Sequence, residues 1–194
     1  MATRNPRKSF RGEAFHANVF GALLLAAGAL SLSACATPTV GDLPIEQLAS
    51  ARLISATGAP VGTVQLMGSG NTITVALVAT GLTPGMHGFH LHQTGSCTPP
   101  DFTSAGGHLN PYDRQHGLEN PAGPHLGDMP NLEVGPSGTV STTVDLRGMQ
   151  TELMKILFDA DGTAVVIHSG ADDYRTDPAG DAGSRVACGV LERA

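Results

Sequence analysis

The chain has 194 residues, of which 17 are acidic and 11 are basic, and its formal net charge is −6 at pH 7. This acidic balance excludes a nucleic acid as partner, because phosphate binding requires clustered lysine and arginine side chains. The length suits one domain with its own hydrophobic core.

The first 34 residues are typical of an export signal. They begin with four basic residues, namely Arg4, Arg7, Lys8 and Arg11. An apolar run over residues 19–32 follows, which is shorter than the ~20 residues that cross a bilayer, and it ends in small residues. We predict a signal peptide over residues 1–34, whose removal leaves 160 residues with a net charge of −9.

The end of this segment, Leu32-Ser-Ala-Cys35, resembles the lipobox of bacterial lipoproteins, in which the cysteine becomes lipid-modified. The alternative is a plain signal peptide cut near Ala34 or Ala36, with Cys35 a free thiol. Lipidation is favoured because a leftover cysteine in a secreted protein requires an explanation. The expected location is the periplasmic side of the bacterial cell envelope. Contact with the outer membrane is then made only through the lipid anchor.

Residues 35–49 contain Pro38, Gly41 and Pro44 and are predicted to be a tether, with one domain over residues 50–194. In residues 72–79 apolar and other side chains alternate, which is the period of a strand. Further strands are predicted at residues 61–67, 86–92, 139–146, 163–168 and 185–191, and a short amphipathic helix at residues 149–158. Many short strands between glycine and proline residues predict an all-β sandwich or barrel.

Six of the eight histidines form an ordered series together with one aspartate: His90, His92, His108, His116, His125, Asp128 and His168. A lone histidine is more often structural, but a series of this kind indicates metal ligands. Imidazole suits copper and zinc, and a nearby carboxylate favours zinc. The series supplies enough donors for two metal sites.

The spacing within the series has structural meaning. In a strand, His90 and His92 point to one face of the sheet and Leu91 packs on the other. The stretch that holds His108, His116 and His125 is rich in glycine and proline and has no apolar period. Metal bonds would then replace a core as the reason that it is ordered.

Several of these segments occur in the order of a known family. Gly88-Phe-His-Leu-His92, Thr103-Ser-Ala-Gly-Gly-His-Leu-Asn-Pro111, His125-Leu-Gly-Asp128 and Gly183-Ser-Arg-Val-Ala-Cys-Gly189 resemble the signature segments of copper/zinc superoxide dismutases. Cys97-Thr-Pro-Pro-Asp-Phe102 and Asp172-Asp-Tyr174 are most similar to the bacterial branch, here in a lipoprotein form. The resemblance covers about residues 50–192. It implies an eight-stranded, immunoglobulin-like Greek-key β-barrel or sandwich with two long functional loops.

The resemblance implies an enzyme that converts superoxide to molecular oxygen and hydrogen peroxide, with copper as the redox ion beside a structural zinc. The implied copper ligands are His90, His92, His108 and His168. The implied zinc ligands are His108, His116, His125 and Asp128. His108 would bridge the two ions and take part in proton transfer to reduced oxygen.

Two further residues receive roles from the resemblance. Arg185 would bind the superoxide anion beside copper, and Asp172 would touch a copper ligand and a zinc ligand at once. Without the surrounding motif, Arg185 would be interpreted as a surface arginine. The less favoured alternative for Asp172 is a solvated turn acid. Bacterial relatives often carry a basic residue after the second histidine of the His-x-His strand, where this chain has Gln93. Arg175 is the second candidate for a local positive field.

The two cysteines other than Cys35 are Cys97 and Cys188, and in an exported protein they are expected to form a disulfide. Closing the chain between these two cysteines contributes on the order of 4.5 kcal/mol to the free energy of unfolding in the chain-entropy model. The alternative is two separate buried thiols.

Two other functions compete with the enzyme: a non-catalytic periplasmic copper/zinc binding or delivery protein, and a structural envelope lipoprotein. A degenerate binding protein would lack some ligands or the arginine, whereas this chain has all of them. Whether the chain forms a homodimer is left open by the sequence.

Overall fold

The computed structural model describes residues 44–194. The predicted signal peptide, the lipidation site at Cys35 and most of the predicted tether lie outside the described residues. The strands are β1 (Glu46–Ser55), β2 (Pro60–Ser69), β3 (Thr72–Ala79), β4 (Gly85–His87), β5 (Phe89–His92), β6 (Leu132–Val134), β7 (Val140–Asp145), β8 (Ala164–His168), β9 (Arg185–Val190) and β10 (Glu192–Arg193). One helix, α1 (Gln150–Leu157), lies between β7 and β8. Over residues 44–194 no helix combines the length and the apolarity that a membrane crossing needs.

The ten segments correspond to eight strands. Only Gly88 separates β4 from β5, and only Leu191 separates β9 from β10. The main sheet is antiparallel, in the order β5-β8-β9-β1-β2-β3-β7, and β4 pairs with β6 beside it. Because β4 continues into β5 and β6 turns directly into β7, the two ends of the sheet are joined and it curls into a barrel. The predicted all-β barrel is confirmed.

The topology is of the Greek-key kind. Hairpins join β1 to β2 and β2 to β3, and β9 returns over a long connection to lie beside β1. The predicted strand over residues 72–79 is observed with those bounds, and its alternate residues Ile73, Val75, Leu77 and Ala79 are buried. Period-2 patterning therefore fixed which face of this strand meets the core.

The first strand begins earlier than the sequence pattern indicates. β1 starts at Glu46, inside the segment predicted to be a tether, and Ala49 is fully buried. The reason is pairing with both neighbours, since Ala49 lies opposite Leu66 of β2 and Arg193 of β10. Cross-strand partners of this kind are remote in the chain, so the local composition does not reveal them.

Inside the barrel, apolar side chains from both halves of the sheet pack together. Among the largest fully buried side chains are Leu53, Leu66, Leu77, Phe89 and Leu91. Each such burial contributes about 1.5–3 kcal/mol relative to an exposed side chain. The predicted helix is confirmed as α1, and its residues Leu153 and Leu157, four apart on one face, close the core.

A second, smaller cluster surrounds the disulfide between Cys97 and Cys188, whose Cα atoms are 5.7 Å apart. Phe102 and Ala105 from the long segment after β5 pack there against Ala164 and Val166 of β8. The disulfide that the sequence predicts is therefore present. It fastens the start of the segment over residues 93–131 to β9.

Candidate metal centre

Two strands and one long segment bring the histidine series together. His90 and His92 leave β5 on one side, while Leu91 between them belongs to the hydrophobic core. Isolated β-bridges join His92 to His108 and His90 to Asp128, so the segment over residues 93–131 lies along β5. The centre is thus built against strand β5 of the barrel.

The first group consists of four buried histidines whose ligand atoms all lie within 4.8 Å of one another: His90, His92, His108 and His168. His90 Nδ1 and the Nε2 atoms of the other three are buried without any hydrogen-bond partner. Buried polar atoms are nearly always paired, so four orphaned nitrogens in one place require a common partner. Imidazole nitrogen is a ligand that copper accepts, and the four residues fit that ion.

The opposite ring nitrogens determine how these histidines are oriented. His90 Nε2 donates to Asp172 Oδ2 at 2.8 Å, His92 Nδ1 to the Gly106 carbonyl at 3.0 Å, and His168 Nδ1 to the Gly183 carbonyl at 3.3 Å. Carbonyl and carboxylate oxygens only accept, so these nitrogens carry the protons. The orphaned nitrogens therefore hold lone pairs that can bind a metal.

Burial keeps three of these rings neutral. Desolvation, reinforced by neighbouring imidazoles, lowers the pKa of His92 to about 2 and that of His168 to about 3. Desolvation also dominates at His108, where it lowers the pKa to about 4 although Asp128 opposes it. At neutral pH these side chains are consequently in the form that coordinates metal ions.

The second group contains His108, His116, His125 and Asp128, again with ligand atoms within 4.8 Å of one another. Asp128 Oδ1 lies 2.9, 3.1 and 3.2 Å from Nδ1 of His108, His116 and His125. Its other oxygen accepts the backbone N–H groups of Gly117 and His125, both at 2.9 Å. Three imidazoles and one carboxylate form the donor set that suits zinc.

Electrostatics within the second group favour a cation. Burial opposes ionisation of Asp128, but hydrogen bonds from His108 and His116 outweigh it and hold its pKa well below the usual range. Burial likewise opposes protonation of His116, yet Asp128 and Asp172 raise its pKa to about 9. A ring that attracts a proton between two carboxylates also attracts a divalent ion, which displaces that proton.

Asp172 connects the two groups, as the resemblance implied. Its Oδ2 accepts from His90 at 2.8 Å and its Oδ1 from His116 at 3.0 Å. Asn131 holds the backbone of Asp172 in place, because it donates to the Asp172 carbonyl and accepts from the Asp172 N–H, both at 2.8 Å. The sequence interpretation missed Asn131, and nothing in its local pattern signals this role.

Arg185, at the start of β9, lies beside the first group. Its Nη1 donates to the Phe102 carbonyl and its Nη2 to the Gly106 carbonyl, each at 2.6 Å. The Gly106 carbonyl also accepts from His92, so one oxygen joins the arginine to a metal-group histidine. Arg185 is half-buried and lines an open surface depression of about 770 Å³.

Arg175 does not have the role that the sequence suggested for it. Its guanidinium forms an ion pair with Glu119 and donates a second hydrogen bond to the same carboxylate oxygen from Nε at 2.9 Å. Both side chains are exposed. Because the carboxylate neutralises it, Arg175 contributes little local positive field.

Comparison with known proteins agrees with this geometry. The family model for copper/zinc superoxide dismutase (SODC) matches residues 61–191. The chain is 46% identical to superoxide dismutase [Cu-Zn] 2 of Aquifex aeolicus over 146 residues, which are 74% of this chain and 85% of that protein.

Two solved structures show the same similarity. The superoxide dismutase-like protein of Bacillus subtilis superposes with a TM-score of 0.70 at 37% identity, covering 77% of this chain and 100% of that one. The Cu/Zn superoxide dismutase of Brucella abortus gives a TM-score of 0.60 at 32% identity over the same shares. The matched family model, the identity to these relatives and the shared fold establish that the chain belongs to the copper/zinc superoxide dismutase family.

Proposed function

We propose that this chain catalyses the disproportionation of two superoxide anions and two protons to molecular oxygen and hydrogen peroxide. The observation that carries the proposal is the convergence of four orphaned imidazole nitrogens next to a second donor set that shares His108. Copper, if bound by the first group, would supply the one-electron redox chemistry that this reaction needs.

The two donor sets support the following assignment of ligands. His90, His92, His108 and His168 hold copper, and His108, His116, His125 and Asp128 hold zinc. His108 belongs to both sets because its Nε2 is orphaned in the first group while its Nδ1 faces Asp128 in the second. Its Nε2 is then the atom that can hold a proton near reduced oxygen between the two half-reactions.

Arg185 binds the substrate. The protein is acidic, so a superoxide anion meets a repulsive surface overall and needs a local positive charge. The Phe102 and Gly106 carbonyls fix the guanidinium, and the Gly106 carbonyl also accepts from His92 Nδ1, which places Arg185 beside that histidine. Arg185 thereby attracts and orients the anion next to His92.

Asp172 is a positioning residue. It fixes the proton of His90 on Nε2 and that of His116 on Nε2, which leaves Nδ1 of each ring for a metal ion. Asn131 in turn fixes Asp172, so the spacing of the two groups is built into the segments that follow β5 and β8.

For the location, we infer export and lipid attachment at Cys35 to the outer membrane, on the periplasmic side. Support comes from the signal-like segment and its lipobox. The Cys97–Cys188 disulfide is in keeping with an oxidising compartment.

The decisive experiment measures metal content and superoxide decay on the same preparation. We expect one copper and one zinc per chain, with decay that requires the protein-bound copper. Two bound metals without faster decay than in metal-free protein would instead support the binding or delivery function. For the arginine variants described below, Arg52→Gln is a matched control, because Arg52 is exposed on β1 and lines a different part of the surface.

A further inference from the structure

The outer side of the zinc group opens into a surface depression of about 430 Å³. Its walls include Tyr112, Arg114, Pro124, His125, Leu126 and Arg147. Two of these residues are arginines, and none of the lining residues is an acid. In an acidic protein, such a lining creates a local region of positive potential.

The two arginines have no carboxylate partner among residues 44–194. The only arginine–carboxylate pair in that part of the chain joins Arg175 to Glu119. Arg114 is anchored through its backbone, because its N–H donates to Asn110 Oδ1 at 3.0 Å and its carbonyl accepts from Asn110 Nδ2 at 2.8 Å. Its guanidinium remains exposed, as does that of Arg147.

His125 is the third polar group on the wall. Four other histidines of the two groups donate a second ring nitrogen to Asp172 or to a backbone carbonyl, namely His90, His92, His116 and His168. His125 differs, because its Nδ1 faces Asp128 and no acceptor for its Nε2 is found within the described residues. Its side chain is 7% exposed, on the side of the depression.

If Nδ1 binds zinc, as the proposed function requires, Nε2 of His125 carries the proton and is a fixed donor. Ligating histidines almost always pass this proton to an acceptor, which orients the ring and raises its basicity. Two arginines that line the same depression as His125 suit an anion with several acceptor oxygens, since arginine binds phosphate through paired hydrogen bonds.

We propose that Arg114, Arg147 and His125 form a binding site for a small oxyanion of the phosphate class, which accepts the Nε2–H of His125 and slows the release of zinc. The ligand chemistry is shared by free phosphate and by the phosphate of a lipid headgroup. The inference rests on the proposed zinc assignment for the donor state of His125 and for the effect on zinc release.

The test uses the zinc-loaded protein with its copper reduced, so that the sample is diamagnetic. Inorganic phosphate is titrated at constant ionic strength while NMR follows the His125 ring and the arginine side chains. We expect a saturable change at His125, Arg114 and Arg147. Arg114→Gln and Arg147→Gln should each weaken phosphate binding on the order of tenfold, whereas Arg52→Gln should leave it unchanged.

Zinc release to a chelator is measured with and without phosphate on the same variants. We expect phosphate to slow release from the wild type and from Arg52→Gln at the same concentrations, whereas Arg147→Gln should require about tenfold more phosphate for the same effect. In a parallel experiment, binding of the same variants to vesicles containing phosphatidylglycerol is measured. Saturation by free phosphate identifies the free anion as a sufficient ligand, and arginine-dependent binding to vesicles alone identifies the headgroup.

Changes confined to the surroundings of Arg185, or phosphate affinities that neither arginine variant alters, would overturn the oxyanion site. Zinc content and superoxide decay, measured on the same samples, separate this failure from that of the proposed function. Intact zinc and activity with no arginine-dependent phosphate binding remove the oxyanion site alone. Arginine-dependent phosphate binding in a protein without activity removes the proposed function and retains the site.

Discussion

The carboxylate of Asp172 accepts the Nε2–H of His90 at 2.8 Å, and both side chains are completely buried. The other carboxylate oxygen lies 3.0 Å from Nε2 of His116, a member of the second donor group. One carboxylate therefore orients a ligand of each proposed metal. A displacement of Asp172 is transmitted to both groups at once.

Asp172→Asn tests this coupling. An amide cannot accept from both histidines with equal geometry, because one of its two terminal atoms is a donor. We expect the affinity for copper and zinc to fall by about 10- to 100-fold while the fold is retained. Competition titrations with metal chelators measure this loss. Asp173→Asn is the control, since Asp173 is exposed and caps a turn; equal affinities in both variants would show that Asp172 is an ordinary turn acid.

Single ligand substitutions should separate the two donor groups. His92→Ala removes a residue of the first group only, so we expect loss of copper with most zinc retained. Asp128→Asn weakens the second group, because three imidazoles converge on that carboxylate. Elemental analysis of each purified variant measures the outcome. Simultaneous loss of both metals in His92→Ala, in a folded protein, would contradict two separable sites.

Local periodicity predicts the parts of the centre that lie on strands. The alternation around Leu91 indicated that His90 and His92 share a face, and the structure places both in the first group. The position of His108 follows instead from an isolated bridge to His92, which joins a strand to an irregular segment. Such long-range pairing has no local signature, so only the family resemblance could supply it.

The residues that hold the positioning side chains around the centre are harder still to predict from the sequence. Asn131 fixes Asp172 from a distance of 41 residues along the chain, through two hydrogen bonds that involve the Asp172 backbone. The sequence suggests Arg175 as a source of positive electrostatic field near the centre, but its ion pair with Glu119 neutralises that charge. Side-chain partners of exposed residues depend on the exact course of loops, and sequence patterns do not encode that course.

Lipid attachment at Cys35 is tested by metabolic labelling with palmitate. We expect the wild-type chain to incorporate label and to fractionate with the outer membrane. Cys35→Ala should remove the label without loss of the disulfide, because Cys97 and Cys188 are already paired. Unlabelled wild-type protein that is recovered in the soluble periplasmic fraction would show that the segment is a plain signal peptide.

The metal-free protein should be most stable near pH 6.5. The pKa values of His92, His108 and His168 are lowered to about 2, 4 and 3, so below pH 6.5 the unfolded chain binds protons that the native protein excludes. The free energy of unfolding then falls with decreasing pH by about 1.4 kcal/mol per pH unit for each such histidine.

Above pH 6.5 the free energy of unfolding falls as the pH rises, and this change is smaller than the one on the acidic side. The pKa of His116 is raised to about 9, so its contribution is fully present below pH 6.5 and is lost as the pH rises through about 9. Urea unfolding of metal-free protein at pH 5, 6.5 and 9 measures the change in the free energy of unfolding on both the acidic and the alkaline side. Metal-loaded protein is the control, and a free energy that rises steadily from pH 6.5 to pH 9 would contradict the assignment at His116.

Arg185 provides the test of catalysis apart from metal binding. Among residues 44–194 it forms no hydrogen bond with the proposed metal ligands, and its guanidinium is held by the carbonyls of Phe102 and Gly106. Arg185→Ile should therefore retain both metals and lower the rate constant for superoxide decay by at least about tenfold, because a focused positive charge raises on-rates by roughly 10- to 1,000-fold. Arg185→Lys should lose less, since the charge remains but the paired donors do not.

Arg175→Ala should change the rate only slightly, because Glu119 already neutralises that arginine. The rates are measured by stopped-flow or pulse radiolysis at low and high ionic strength, with metal content determined on each sample. A fully metallated Arg185→Ile variant with the wild-type rate at low salt would assign the guidance of superoxide to another residue.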